Sequence, residues 1–241
     1  MMQNNIKSKL LREVEYFYEK EGDAFSRTRR HSWPLMNLFK KYLKKNDVLL
    51  DIGAGNGRLI EGLPKDIEYI GVEPSLALRD SAKRLYSVYD NFKIINGRLP
   101  RLDLDDNLAD VLSCIAVLHH VPSRDLRKMS VDEMYRILKP GGVAIISVWN
   151  LRSEKFFNWK SFWHAWLRLP GIKYASWGDY YVPWKSSGRV ENRYVHAFTL
   201  REFKSLFKDK KWDIINIGSY DKGGWVSFWQ GRNLVAVLRK K

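Results

Sequence analysis

At 241 residues, with 45% hydrophobic side chains, the chain can bury the core of one large α/β domain. The single cysteine, Cys114, excludes a disulfide framework, lies in an apolar run expected to be core, and has no C-x-x-C partner that would suggest zinc. A formal net charge of +15 points to a polyanionic partner such as nucleic acid, against the plainer reading of lysines placed for solubility.

The elements follow in chain order. The start, MMQNNIKSKLLREVEYFY, is charged and lacks a signal-type apolar stretch. No later run approaches the roughly 18 apolar residues of a membrane span, so a soluble, cytoplasmic chain without a membrane partner is expected. Residues 6–20 carry the pattern of an amphipathic helix. The basic segment FSRTRRHSWP follows at 25–34, then a helix from Pro34 to about Leu43. Strands are expected near 48–52, 68–73, 92–96, 110–116 and 143–149, and helices near 57–62, 76–86 and 124–138. Lys139-Pro140-Gly141-Gly142 predicts a helix stop and a tight turn into the fifth strand. This alternation implies a doubly wound, mostly parallel sheet. From about 150 to 195 the pattern changes to an aromatic, basic insertion with few clear strands. A helix from Leu200 to about Phe207 precedes two strands, WDIINIGSY and NLVAVLRK, joined by the loop DKGGWVSFWQGR. The chain is expected to be one domain over 1–241, with residues 1–45 as a helical N-terminal segment.

The segment VLLDIGAGNG, Val48 to Gly57, carries the most chemistry. An apolar strand ends in Asp51 and breaks into Gly53, Gly55 and Gly57, which lets another molecule approach the backbone closely. One helix length later, IEYIGVE ends in Glu73, where an acid can accept hydrogen bonds from a ribose diol. The competing readings are a tightly packed strand-to-helix turn and a nicotinamide site. CIAVLHH brings His119 and His120 to the carboxyl end of a strand, where ligands bind in such sheets. One is expected to face the pocket, with His119 favoured, while the other packs or caps. No acid or cysteine accompanies the pair, so a metal is not expected.

DIGAGNG resembles the first motif of class I S-adenosylmethionine-dependent methyltransferases. FSRTRRHSWP, CIAVLHHVPS, ISVWNL, YVPW and RYVHAF extend the resemblance to the eukaryotic-type tRNA wobble-uridine carboxymethyl methyltransferases and to the methyltransferase half of the AlkB-type fusion proteins. The resemblance runs from about Tyr16 to Lys240. It implies an α/β fold with a seven-stranded, mostly parallel sheet closed by an antiparallel C-terminal hairpin. S-adenosyl-L-methionine is the implied cofactor, with Asp51, Gly53, Gly55, Gly57 and Glu73 holding it and Asn96 standing where an acid often meets the adenine. Methyl esterification of the 5-carboxymethyl group of the wobble uridine is the implied reaction. Arg29, His119, His120, Trp149 and Arg193 are the candidates around the acceptor. The implied partners are the tRNA anticodon loop and a small zinc-containing activator subunit docking beside the sheet's edge strand.

Two other functions stand beside this one: a small-molecule O- or N-methyltransferase, and a non-catalytic RNA-binding subunit on the same fold. Six of the ten tryptophans lie between Trp149 and Trp184, interleaved with cations, which suits unstacked bases. The four- and three-residue spacing of Trp159, Trp163 and Trp166 favours a buried helix face for those three. Alternation along a strand would put Arg193 and His196 on different faces, with Tyr194 and Phe198 in the core.

Overall fold

A computed structural model describes residues 2–28, 35–153, 178–186, 189–208 and 212–241. Its centre is an eight-stranded sheet in the order β3-β2-β1-β4-β5-β10-β8-β9. The strands β1 (Val48–Ile52), β2 (Glu68–Val72), β3 (Phe92–Ile95), β4 (Ala109–Ile115) and β5 (Leu138–Trp149) run parallel. The strand β10 (Asn233–Lys240) pairs antiparallel with β5 and with β8 (Trp212–Asp221). Helices α1 (Met2–Thr28), α2 (Met36–Tyr42), α3 (Leu76–Tyr86), α4 (Arg124–Ile137) and α5 (Leu200–Ser205) complete the described fold.

Both faces of the sheet's parallel centre are buried, while much of β8 and β9 is exposed. On β1, Leu49 packs with Phe39 and Met36 of α2, while its neighbour Leu50 packs with Val131 and Met134 of α4 and with Phe203. Adjacent strand residues face opposite sides, so a parallel sheet covered on both faces needs runs such as VLLDI and VLSCI. Cys114 is fully buried among the α4-side residues, as expected.

The strand order reverses between β1 and β4, the two strands at the centre. A crevice therefore opens at their carboxyl ends. The loops after β1, β2, β4 and β5 all meet there, which brings the glycine loop, Glu73, the histidine pair and Trp149 to one edge.

Several expectations are revised. The expected seven-stranded sheet gains an eighth strand, β9 (Gly224–Val226), within the C-terminal loop. Lys222 and Gly223 both have positive φ, 47° and 87°, between the paired residues Asp221 and Gly224. Such a two-residue turn matches the twist of a hairpin and folds the chain straight back onto β8. The first helix runs to Thr28 rather than ending at 20, because Ser26 Oγ meets Ser81 Oγ of α3 at 2.7 Å and Asn56 Nδ2 donates to Ser26. The stretch at 57–62 is a 3-10 turn, Arg58–Gly62. Lys139–Gly142 ends α4 as expected but forms a bulge inside β5: Leu138 pairs with Ala109 and Val143 with Val111, leaving Asp110 opposite four residues.

The insertion also contains a hairpin of β6 (Asp179–Ser186) and β7 (Arg189–His196), which form their own two-stranded sheet. Tyr194 and Phe198 are buried, as expected. His196 lies on the opposite face of β7 from Arg193. Its Nδ1 is 2.5 Å from Asp179 Oδ1 and its Nε2 is 2.8 Å from Glu202 Oε1. Arg127 of α4, 1% exposed, also reaches Glu202, and the Tyr194 hydroxyl donates to Asp179. This buried network fastens the hairpin to α4 and α5. Removing one partner from a buried charged network is costly. His196→Leu is expected to lower stability by about 3 kcal/mol in urea denaturation, with the β6 and β7 amides losing hydrogen-exchange protection before those of β1 and β4.

Candidate functional site

Three glycines in left-handed conformations shape the loop after β1: Gly53 (φ 72°), Gly55 (φ 58°) and Gly57 (φ 75°). A Cβ on Gly53 would stand 2.3 Å from Val117 Cγ2, so that glycine lets the loop pack beneath the histidine segment. A Cβ on Gly55 would meet nothing nearer than Phe25 at 3.8 Å, so its open side faces the crevice. Glu73, 5% exposed, faces this loop. Gly55 N–H donates to its Oε2 at 2.9 Å and Ser75 N–H to its Oε1 at 3.1 Å. Burial raises its pKa to about 7, with a smaller push from Asp51, although both amides and Arg79 oppose the shift.

Asp51 lies deeper, 4% exposed, and Tyr69 Oη donates to its Oδ2 at 2.7 Å. Burial raises the Asp51 pKa and the Tyr69 hydroxyl draws it back. Asp51 thus tethers the end of β1 to β2 below the glycines. Asn96 gives its Oδ1 to Arg79 Nη1, which also donates to the carbonyls of Glu73 and Pro74. Arg79 was not among the sequence candidates. Its place one helical turn into α3 makes it a clamp on the end of β2.

The second half of the site brings four of the five acceptor-side candidates together. Ala116 (φ 58°) and Ser123 (φ 67°) bracket the short segment holding both histidines, a sign of backbone fixed by its surroundings. The His119 ring lies 4.5 Å from the Trp149 ring and 4.3 Å from that of His120. Arg193 of β7, 4% exposed, sits over Trp149 (4.5 Å), Trp184 (5.1 Å) and Phe17 (5.4 Å). Its Nη1 donates to Tyr18 Oη at 3.2 Å, its Nε is buried without a hydrogen-bond partner, and no carboxylate pairs with it among the described residues. Arg29, the fifth candidate, lies outside the described residues, as do Trp159, Trp163 and Trp166.

The hydrogen bonds set the histidine tautomers. His120 Nδ1 is 2.8 Å from the Tyr194 carbonyl, which can only accept, so Nδ1 carries the proton. Its Nε2 then accepts from Tyr18 Oη at 2.9 Å. Burial and the nearby Arg193 hold its pKa down to about 3. His119 is pushed well below the usual value by burial, then by His120 and Arg193. The Trp149 N–H donates to His119 Nδ1 at 3.3 Å, so Nε2 carries the proton, and it is buried with no partner. Two neutral imidazoles and one uncompensated guanidinium therefore converge: His120 is satisfied at both nitrogens, while His119 Nε2–H and Arg193 offer donors. Of the residues that complete this cluster, Phe17 and Tyr18 went unread in the sequence. The one available signal was the aromatic run Tyr16-Phe17-Tyr18 in α1, whose members point to different sides of the helix. Among the described residues no group of acidic, histidine or cysteine side chains could hold a metal ion. No described helix is long and apolar enough to cross a membrane.

Residues 50–146 match the family described as the methyltransferase domain. The tRNA (carboxymethyluridine(34)-5-O)-methyltransferase of Schizosaccharomyces pombe is 28% identical over 88% of this chain and 93% of its own length. The mouse enzyme of the same description, ALKBH8, is 32% identical over 61% of this chain, which spans only 21% of that protein. A solved complex of the Haloferax volcanii Trm112 methyltransferase activator with a methyltransferase aligns at a TM-score of 0.60 and 18% identity, covering 92% of this chain and 95% of the other. At that identity the likeness concerns the fold.

The left-handed loop, the open side of Gly55 and the buried acid facing it fit S-adenosylmethionine, and Glu73 is the acid placed where a ribose diol would donate. The ionised carboxylate is the form that accepts two such bonds. Its pKa of about 7 before the ligand arrives therefore makes binding release protons. Cofactor affinity measured by calorimetry is expected to rise with pH up to about 7 and then level off. Glu73→Gln should bind more weakly and lose that dependence.

Proposed function

We propose that this chain, which belongs to the class I S-adenosylmethionine-dependent methyltransferases, esterifies a carboxylate, and that its acceptor is the 5-carboxymethyl group of the wobble uridine in tRNA. The observation that carries the reading is Arg193, a buried guanidinium with three aromatic neighbours, one phenol and no acid. A buried cation without a counter-charge is matched by an anionic ligand.

The chain's residues divide the work. Arg193 and the His119 Nε2–H donate to the carboxylate and the uracil edge, while Trp149 packs against both and holds them in place. S-adenosylmethionine, when bound, supplies a sulfonium methyl whose bond to sulfur breaks as a carboxylate oxygen takes the carbon, leaving a neutral thioether and no proton to move. A carboxylate is already ionised near neutral pH. The two low-pKa histidines therefore stay neutral and orient rather than withdraw a proton. Alignment is then the main contribution of the protein. Glu73 and the glycine loop hold one reactant, Arg193 and His119 the other, and α1 covers both.

The net charge of +15 supports a nucleic-acid acceptor over a small acid. The names of the relatives that match most of this chain's catalytic half support wobble uridine. A small zinc-containing activator subunit beside the edge strand β3, which pairs on one side only, belongs to the same proposal. Its support is the fold likeness to a methyltransferase solved with such a partner.

In cells lacking this chain, mass spectrometry of tRNA nucleosides is expected to show 5-carboxymethyluridine accumulating and its methyl ester disappearing. An unchanged profile would remove tRNA as the substrate. Arg193→Met should slow esterification by roughly a hundredfold or more, as loss of a hydrogen-bonded charge pair does, while S-adenosylmethionine affinity stays within about twofold.

A further inference from the structure

We infer that Tyr18 of α1 is a positioning residue for Arg193, fixing the rotation of its guanidinium and so setting how well the site uses an acidic acceptor. The inference rests on the reading of Arg193 as the carboxylate's partner.

The aromatic rings around Arg193 hold the guanidinium at a distance but do not choose which N–H points where. Attraction to a ring face is electrostatic and broad, so it leaves rotation within the plane almost free. Among the described residues, the guanidinium makes one hydrogen bond, from Nη1 to Tyr18 Oη at 3.2 Å. That is the single directional contact, and it decides which donors remain for a ligand.

Tyr18 is itself held from both ends. Its hydroxyl proton goes to His120 Nε2 at 2.9 Å, because His120 Nδ1 is committed to the Tyr194 carbonyl. The Tyr18 oxygen is thereby left as the acceptor for Arg193. The chain of donors runs in one direction: Arg193 to Tyr18 to His120 to the backbone of β7, the strand that carries Arg193. The Tyr18 ring packs edge-on against Phe17 and Phe25. Its turn of α1 is fastened to the cofactor side, since Ser75 Oγ donates to Glu19 Oε2 at 2.8 Å and lies 3.3 Å from the Tyr18 carbonyl, and Ala77 N–H donates to the same carboxylate. Ser75 N–H in turn reaches Glu73. One helical turn thus connects the ribose acid to the acceptor's cation.

Tyr18→Phe removes the hydroxyl and keeps the ring. The KM for tRNA bearing 5-carboxymethyluridine should rise roughly tenfold or more, the range for a hydrogen bond to a charged group, with kcat less affected and S-adenosylmethionine affinity within about twofold. In an Arg193→Met background the same change should cost nothing further. A side chain with only a packing role would lower activity equally in both backgrounds, or weaken cofactor binding in parallel, and either result would overturn the inference. A second readout needs no substrate. In nitrogen-15 spectra, the two Nη signals of Arg193 should be separate in the parent chain and merged in Tyr18→Phe. Unchanged separation would also overturn it. If the parent chain fails to esterify tRNA, the proposed function falls while the Arg193 spectra still decide the role of Tyr18.

Discussion

A guanidinium held out of water with no acid beside it is the constraint around which this site is arranged. Desolvating an ion of that kind costs several kcal/mol, and each ring face returns only about 0.5–2 kcal/mol. Phe17, Trp149 and Trp184 offset part of that cost from three separate elements. The remainder is an unfilled demand for negative charge. It adds to the burial that keeps the neighbouring histidines neutral, and the hairpin carrying Arg193 is held to α4 and α5 by the His196 network on its other face. A strand presenting a poorly compensated charge inward needs such an anchor.

The cofactor half follows a different logic. Here the unusual group is a buried acid, Glu73, met by backbone amides rather than by a lysine. Amides direct the carboxylate without neutralising it, so it keeps its capacity to accept from neutral hydroxyls. Asp51 does not compete for that task, because Tyr69 holds it below the loop. The two acids that the sequence placed together thus differ in partners, Glu73 met by the loop's amides and Asp51 held by the Tyr69 hydroxyl.

Much of this was legible before any coordinates. The glycine loop announced itself because glycines interrupt an apolar strand at its end, and Glu73 because it ends the second strand one helix length later. β1 and α3 fell at their observed bounds since hydrophobic period and caps agree. The β6–β7 hairpin was hidden because Pro183 interrupts β6 and aromatic residues occupy both of its faces, which removes the alternation that marks a half-buried strand. β9 is three residues long, too short for a pattern, and only Lys222-Gly223 hinted at the turn. Tyr18 was unreadable for a different reason. Its role depends on Arg193 and His120, and no local periodicity encodes a meeting of residues so far apart.

Tyr18 and Arg193 are separated by 175 positions, and α1 also leans on Asp125, Tyr181 and Glu191. The helix therefore leaves the ribosome long before the β7 side of its docking surface exists, although the α3 side, which meets Ser26 and Glu19, follows much sooner. At about 5–20 residues per second, the wait is on the order of ten seconds or more. During that time Phe17 and Tyr18 lack Trp184 and Arg193, and the charges along the rest of the helix help to keep it in water. The methyl-transfer site is consequently among the last parts of the molecule to assemble. A nascent chain stalled before β7 would carry a formed glycine loop and no Arg193 over Trp149.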